Sequence, residues 1–165
     1  MIRNILAAAA AFFALSSAQA AEEELYVGVA IGQYEADLGG SDENSGYGEF
    51  FAGVQPTENL FIEVGYSHLD GFEDGSKGNI IKLSLLRQIQ FGSSFSLVGR
   101  AFLSNVDLRG PSGTDDETTL GFGAGIMFGG GEEGTNKFRI EYQMADPGTD
   151  DDSTYIQASL MHFFQ

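Results

Sequence analysis

The sequence predicts an all-β fold, an eight-stranded antiparallel up-and-down transmembrane β-barrel preceded by a cleaved signal peptide. Three observations predict it. Apolar residues alternate with small or polar ones in eight separate segments. The connections between those segments alternate between short and long. The closing segment, 155–165, places Ile156, Ala158, Leu160 and Phe164 on one face with His162 as the exception, and runs to within one residue of the chain end on an aromatic pair.

Residues 1–20 form a separate unit. Arg3 supplies a positive leading region, 5–15 is apolar, and Ala18-Gln19-Ala20 is a small-residue cleavage site, so 1–20 reads as a secretory signal peptide cut before Ala21. The apolar run is shorter than the ~20 residues that span a bilayer as a helix. The remaining segment, 21–165, is long enough for one domain and is read as the barrel. It carries 24 acidic and 7 basic side chains, which argues against a nucleic-acid partner. The chain has no cysteine, so an exported fold must stand without disulfides.

The predicted strands are 24–35, 46–54, 60–69, 78–90, 95–107, 118–129, 136–145 and 154–164. Most are about ten residues, the length of a tilted membrane-crossing strand. The first sets Leu25, Val27, Val29 and Ile31 against Tyr26, Gly28, Ala30 and Gly32. The third sets Leu60, Ile62, Val64 and Tyr66 against Phe61, Glu63, Gly65 and Ser67. In the sixth, Leu120, Phe122, Ala124, Ile126 and Phe128 oppose Thr119, Gly121, Gly123, Gly125 and Met127. The seventh divides Phe138, Ile140, Tyr142 and Met144 from Lys137, Arg139, Glu141 and Gln143. Apolar faces are assigned to lipid, and glycine-rich or charged faces to a narrow lumen. A soluble sandwich would place Lys, Glu and Thr on its second face and would use strands of ~5–6 residues.

The short connections are 55–59, 91–94 and 130–135, and the longer ones are 36–45, 70–77, 108–117 and 146–153. This alternation around an even number of strands is the pattern of outer-membrane barrels, with short turns in the periplasm and long loops outside. The long connections and the adjacent strand ends hold 15 acids against Lys77 and Arg109. Two readings of that rim stand: acidic loops that meet outer-membrane lipid and lipopolysaccharide through divalent cations, or a solubility adaptation to a saline habitat. Asp150-Asp151-Asp152 lacks the spacing of a calcium loop, and no metal site is assigned.

Six charged residues fall on the predicted lumen side: Glu49, Glu63, Lys82, Arg100, Arg139 and Glu141. Three acids matched by three bases suggest a paired interior network, since buried charges are costly unless paired. Separately hydrated side chains in a wet lumen are the alternative. The facing of Lys82 and Arg100 is the least defined, because Leu86 and Arg87 interrupt the alternation; Arg87 either snorkels to the interface or sits at a bulge.

Catalytic chemistry finds little support. Ser67 and His68 are adjacent, so their side chains leave opposite faces of a strand. His68 with Asp70 is the one candidate pair near the outer rim. The run Gly121-Phe-Gly123-Ala-Gly125 fails dinucleotide-loop spacing. No catalytic residue and no cofactor is assigned.

At the level of strand pattern the chain resembles the small eight-stranded outer-membrane β-barrel proteins, OmpA- and OmpX-like, of the porin-family barrel domains. The segments that carry the resemblance are Asn59-Leu-Phe-Ile-Glu-Val-Gly-Tyr66, Leu120-Gly-Phe-Gly-Ala-Gly-Ile-Met-Phe128, Phe138-Arg-Ile-Glu-Tyr142 and the closing Phe163-Phe164. The resemblance implies a monomer in the outer membrane of a Gram-negative bacterium. It also implies an interior charge network that includes Glu63, Lys82, Arg139 and Glu141, and a C-terminal signal (Leu160, Phe163, Phe164) read by the outer-membrane assembly machinery. His162 and Gln165 depart from that signal. The expected function is a non-catalytic barrel with a structural or surface-interaction role through acidic extracellular loops; the alternative is a small low-conductance porin for ions or small solutes. Eight strands enclose a space that side chains can fill, which favours the first.

Overall fold

The structure, a computed structural model, describes residues 24–37, 42–70, 77–92, 94–110, 113–129, 135–145 and 153–164. The proposed signal peptide and much of the acidic loops lie outside these residues.

Eight strands follow in order: β1 (Glu24–Asp37), β2 (Asp42–Thr57), β3 (Leu60–Asp70), β4 (Lys77–Gln90), β5 (Phe95–Gly110), β6 (Gly113–Gly129), β7 (Asn136–Ala145) and β8 (Ser153–Phe164). Each pairs antiparallel with its sequence neighbours, and β8 pairs with β1 to close the barrel. Closure leaves no sheet edge, so inter-strand bonds satisfy the backbone where lipid offers no partner. Following paired residues once around the sheet from Leu25 returns to β1 at Glu35, an offset of ten residues. That stagger on eight strands corresponds to a strand tilt of roughly 40°.

Several strands outrun the sequence expectation at the ends that carry the long connections. Connection 108–117 is largely ladder, with Gly110 paired to Gly113. Likewise β2 begins at Asp42 rather than at residue 46 and continues through Gln55, Pro56 and Thr57. The physical reason is the same at each such end. Beyond the bilayer both faces meet water, so a strand can continue without the apolar alternation that marks it in lipid. At the other end of β2 the register shifts between Val54 and Thr57. Pro56 lies in this shift, having no N–H to donate to the ladder.

The face assignments for strands one, three, six and seven agree with the structure. Outward side chains such as Leu25, Val29, Phe50, Leu103, Phe122, Ile140 and Leu160 are exposed, and inward ones are buried. In β4 and β5 the register runs without a break through Leu86 and Arg87, so the bulge alternative does not apply there. Leu86 points inward and is fully buried, and Arg87 points outward. The sequence pattern looked broken at this point because the lumen is not polar throughout.

The lumen is layered. Toward the ends that carry the long connections lies an apolar and aromatic cluster that includes Tyr34, Tyr47, Leu69, Ile80, Phe102 and Tyr155. Toward the opposite end lies a second, with Tyr26, Phe51, Phe61, Leu86, Met161 and Phe163. The charged residues sit between the two.

Candidate functional site: the charged lumen

Inward positions on five strands deliver the charges: Glu49 from β2, Glu63 from β3, Lys82 from β4, Arg100 from β5, and Arg139 with Glu141 from β7. All six are buried, and their paired side chains are 3 % exposed or less.

Four of them form a compact square. Arg100 donates from Nε to Glu141 Oε1 at 2.9 Å and from Nη2 to Glu141 Oε2 at 2.8 Å, a two-pronged contact that fits the guanidinium fork. The same Nη2 lies 2.8 Å from Glu63 Oε2, and Nη1 donates to Ser84 Oγ at 2.7 Å. Arg139 grips Glu63 from the other side, with Nη1 2.6 Å from Oε1 and Nη2 3.2 Å from Oε2. Arg139 Nε comes within 2.7 Å of Glu141 Oε2, but its N–H has no hydrogen-bond partner, so this is an ion contact. Tyr26 donates its hydroxyl to Glu63 Oε1 at 2.9 Å, and Gln157 donates to Glu141 Oε2 at 3.0 Å.

Lys82 and Glu49 form a second unit. Lys82 Nζ lies 3.2 Å from Glu49 Oε2, 3.1 Å from the Tyr47 hydroxyl and 3.2 Å from Gln143 Oε1. The ammonium also sits 4.8 Å from the centre of the Tyr155 ring, a position that suits a desolvated cation. The Tyr47 hydroxyl meets both Glu49 and Gln157, so Gln157 links this unit to the square. The Arg139 guanidinium carbon lies 5.2 Å from the Phe51 ring centre, which ties the charges to the cluster below.

Three carboxylates and three cations thus meet within one layer, with no net charge. Each carboxylate accepts from more than one donor, the condition under which burial of ions is tolerated. Glycines make the space. A Cβ at Gly65 would overlap Glu49 Oε1, and one at Gly121 would overlap the Phe102 ring.

The predicted lumen residues are therefore brought together. Sequence reasoning did not include Tyr26, Tyr47, Ser84, Gln143 and Gln157 in the network. Each occupies an inward position, and that parity is the signal that could have found them. The three residues expected to form a C-terminal signal divide between two faces. Leu160 and Phe164 are exposed on the outside, whereas Phe163 points inward, stacks on Tyr26 with centroids 4.8 Å apart, and lies 4.1 Å from Lys137 Nζ. His162 faces outward and bonds Asn136 Oδ1 at 2.9 Å through Nδ1.

The His68–Asp70 pair does not form. His68 Nδ1 meets Asn79 Oδ1 at 3.0 Å, and Asp70 pairs with Lys77 at 3.3 Å. Ser67 points inward, away from His68. Among the described residues no cluster of His, Cys, Asp and Glu could hold a metal ion.

A closed antiparallel barrel with an apolar exterior and a side-chain-filled lumen that carries a charged layer is a transmembrane barrel. A model of the outer membrane protein beta-barrel domain matches residues 5–164, and the chain belongs to that family. The protein is accordingly one of the Gram-negative outer membrane. Among solved structures it is similar to Neisserial surface protein A, NspA, at 15 % identity over 85 % of this chain and 97 % of that one, with a TM-score of 0.65. The N-terminal β-barrel domain of Pseudomonas aeruginosa OprF is 15 % identical over 86 % and 97 %, with a TM-score of 0.62. Ail, the attachment invasion locus protein of Yersinia pestis, is 14 % identical over 87 % and 100 %, with a TM-score of 0.60. At these identities the likeness is one of fold. No curated protein matches significantly.

Proposed function

We propose that this protein is a non-catalytic outer-membrane barrel with a structural or surface-interaction role, whose lumen is closed to solute flow. The carrying observation is the layer of ion pairs that crosses the lumen from Glu49 to Arg139 between two apolar clusters. Moving water or ions through it would require separating buried charges from their partners, at several kcal/mol per ion.

With the turns after β2, β4 and β6 in the periplasm, both ends of the barrel chain lie there too, and the opposite ends of the strands face outward. Those ends and loops hold 15 acidic residues against 2 basic ones. A rim of that sign beside anionic lipid headgroups calls for screening by salt or divalent cations. It is the wrong sign for a polyanion such as the heparin analogue seen with Ail. Surface contacts through this rim therefore suit cationic partners or ion-bridged lipopolysaccharide. The C-terminal strand, closing on β1, is the element offered to the assembly machinery.

The test is release of potassium and of a small sugar from vesicles that contain the refolded protein. Release no faster than from protein-free vesicles is expected. Fast release of either would replace this reading with the low-conductance porin.

A further inference from the structure

We infer that Arg87, with the bare backbone of Gly99 beside it, forms a site on the lipid-facing wall for the phosphate group of a membrane phospholipid. Arg87 projects outward from β4 between Leu85 and Ile89, which are 51 % and 60 % exposed. Ile89, and beyond it Phe91, are exposed on the turn side of it. Arg87 is registered against Leu60, the first residue of β3, so the cation lies at the turn-side edge of the apolar belt, where lipid headgroups begin.

The other cations of the described residues have partners: Lys77 with Asp70, Lys82 with Glu49, Arg109 with Asp107, Arg100 and Arg139 within the square, and Lys137 over Phe163. Among the described lysines and arginines Arg87 alone has no ion pair, side-chain hydrogen bond or ring contact. A guanidinium carries five N–H donors and cannot shed its proton, so its partners must come from the surroundings.

The neighbouring position supplies room. Arg87 is registered against Gly99 on β5, and Gly99 against Ala124 on β6, both outward. A Cβ built at Gly99 would meet nothing within 4 Å. Between Leu97 and the small pair Gly99 and Ala124 the wall is therefore depressed next to the guanidinium. A charged fork beside a shallow apolar depression fits one occupant, an amphiphile with a phosphate head and acyl chains. Phosphate offers the two-oxygen edge that a guanidinium fork grips. Free phosphate would gain nothing from the depression. Lipopolysaccharide phosphates lie at the opposite end of the barrel; this choice of leaflet rests on the periplasmic placement of the short turns proposed above.

The test uses the refolded barrel in bilayers of phosphatidylglycerol and, separately, of a phosphate-free galactolipid, with retained lipid counted by native mass spectrometry after release. Wild type is expected to keep phosphatidylglycerol and not the galactolipid. Arg87→Gln should retain about fivefold less, the contribution of one basic group at a headgroup surface. Gly99→Leu keeps the charge and fills the depression, and should lose retention as well. Arg109→Gln at the outer rim should change nothing. Heat-modified gel migration identifies folded variants, and the Gly99 and Arg87 substitutions are independent routes to the same loss. Equal retention by Arg87→Gln, equal retention of the galactolipid, or displacement of lipid by inorganic phosphate alone would overturn the site and leave Arg87 as a side chain that reaches water. Solute release from vesicles does not depend on Arg87, so failure here and failure of the closed-lumen reading are separately visible.

Discussion

Lys82 is a buried ammonium that survives because three oxygens and a ring surround it. Glu49, Tyr47 and Gln143 supply the oxygens, each at 3.1–3.2 Å, and Tyr155 the ring. If the lumen charges act as pairs, breaking one pair should hurt more than removing it whole. Glu49→Gln or Lys82→Met alone should lower the unfolding free energy by about 3–5 kcal/mol, and the double substitution by much less than the sum. Urea titration in detergent or lipid checks this; additive losses would favour separately hydrated side chains. The glycine opposite gives a second residue-level outcome. Gly65→Ala pushes a methyl into the Glu49 carboxylate and should cost about 1–3 kcal/mol in the same titration. Much of this was legible from parity, since Glu63, Arg139 and Glu141 alternate with clearly apolar neighbours. The same parity placed Lys82 and Arg100 in the lumen with a less defined facing, because Leu86 faces an apolar layer inside the barrel, which a polar-lumen rule does not anticipate.

At the scale of the strand, the two faces of β8 have different work. Leu160 and Phe164 face lipid, and Phe163 locks the lumen end by stacking on Tyr26 and accepting the Lys137 cation over its ring. The backbone of Phe163 also donates to the Thr135 carbonyl at 2.7 Å. Deleting 163–165 removes the ring, that bond and the last partners of Leu25 and Tyr26 on β1. The truncated chain is expected in the periplasm as a degraded species, read by cell fractionation and immunoblot; normal heat-modifiable barrel in the outer membrane would contradict the proposed role. Strand existence and facing were readable from residues alternating with period two. Strand ends were not. The polar stretches at 42–45 and 113–117 continue as ladder in water, where either face can be polar, and so they carry no periodic mark.

For the whole molecule, strand number and stagger set a lumen that side chains can fill, and this sequence fills it with two apolar layers around a neutral charged one. The sequence indicated the barrel, its membrane and its lumen charges. It could not show how the charges partner, because partners such as Glu63 and Arg139 lie 76 residues apart and meet only through closure of the sheet. A closed lumen requires that layer to be continuous across it. Single-channel recording of the refolded protein in a planar bilayer tests it most directly: the protein is expected to insert without steady open conductance at moderate voltage, and a stable, reproducible open level in wild type would contradict it.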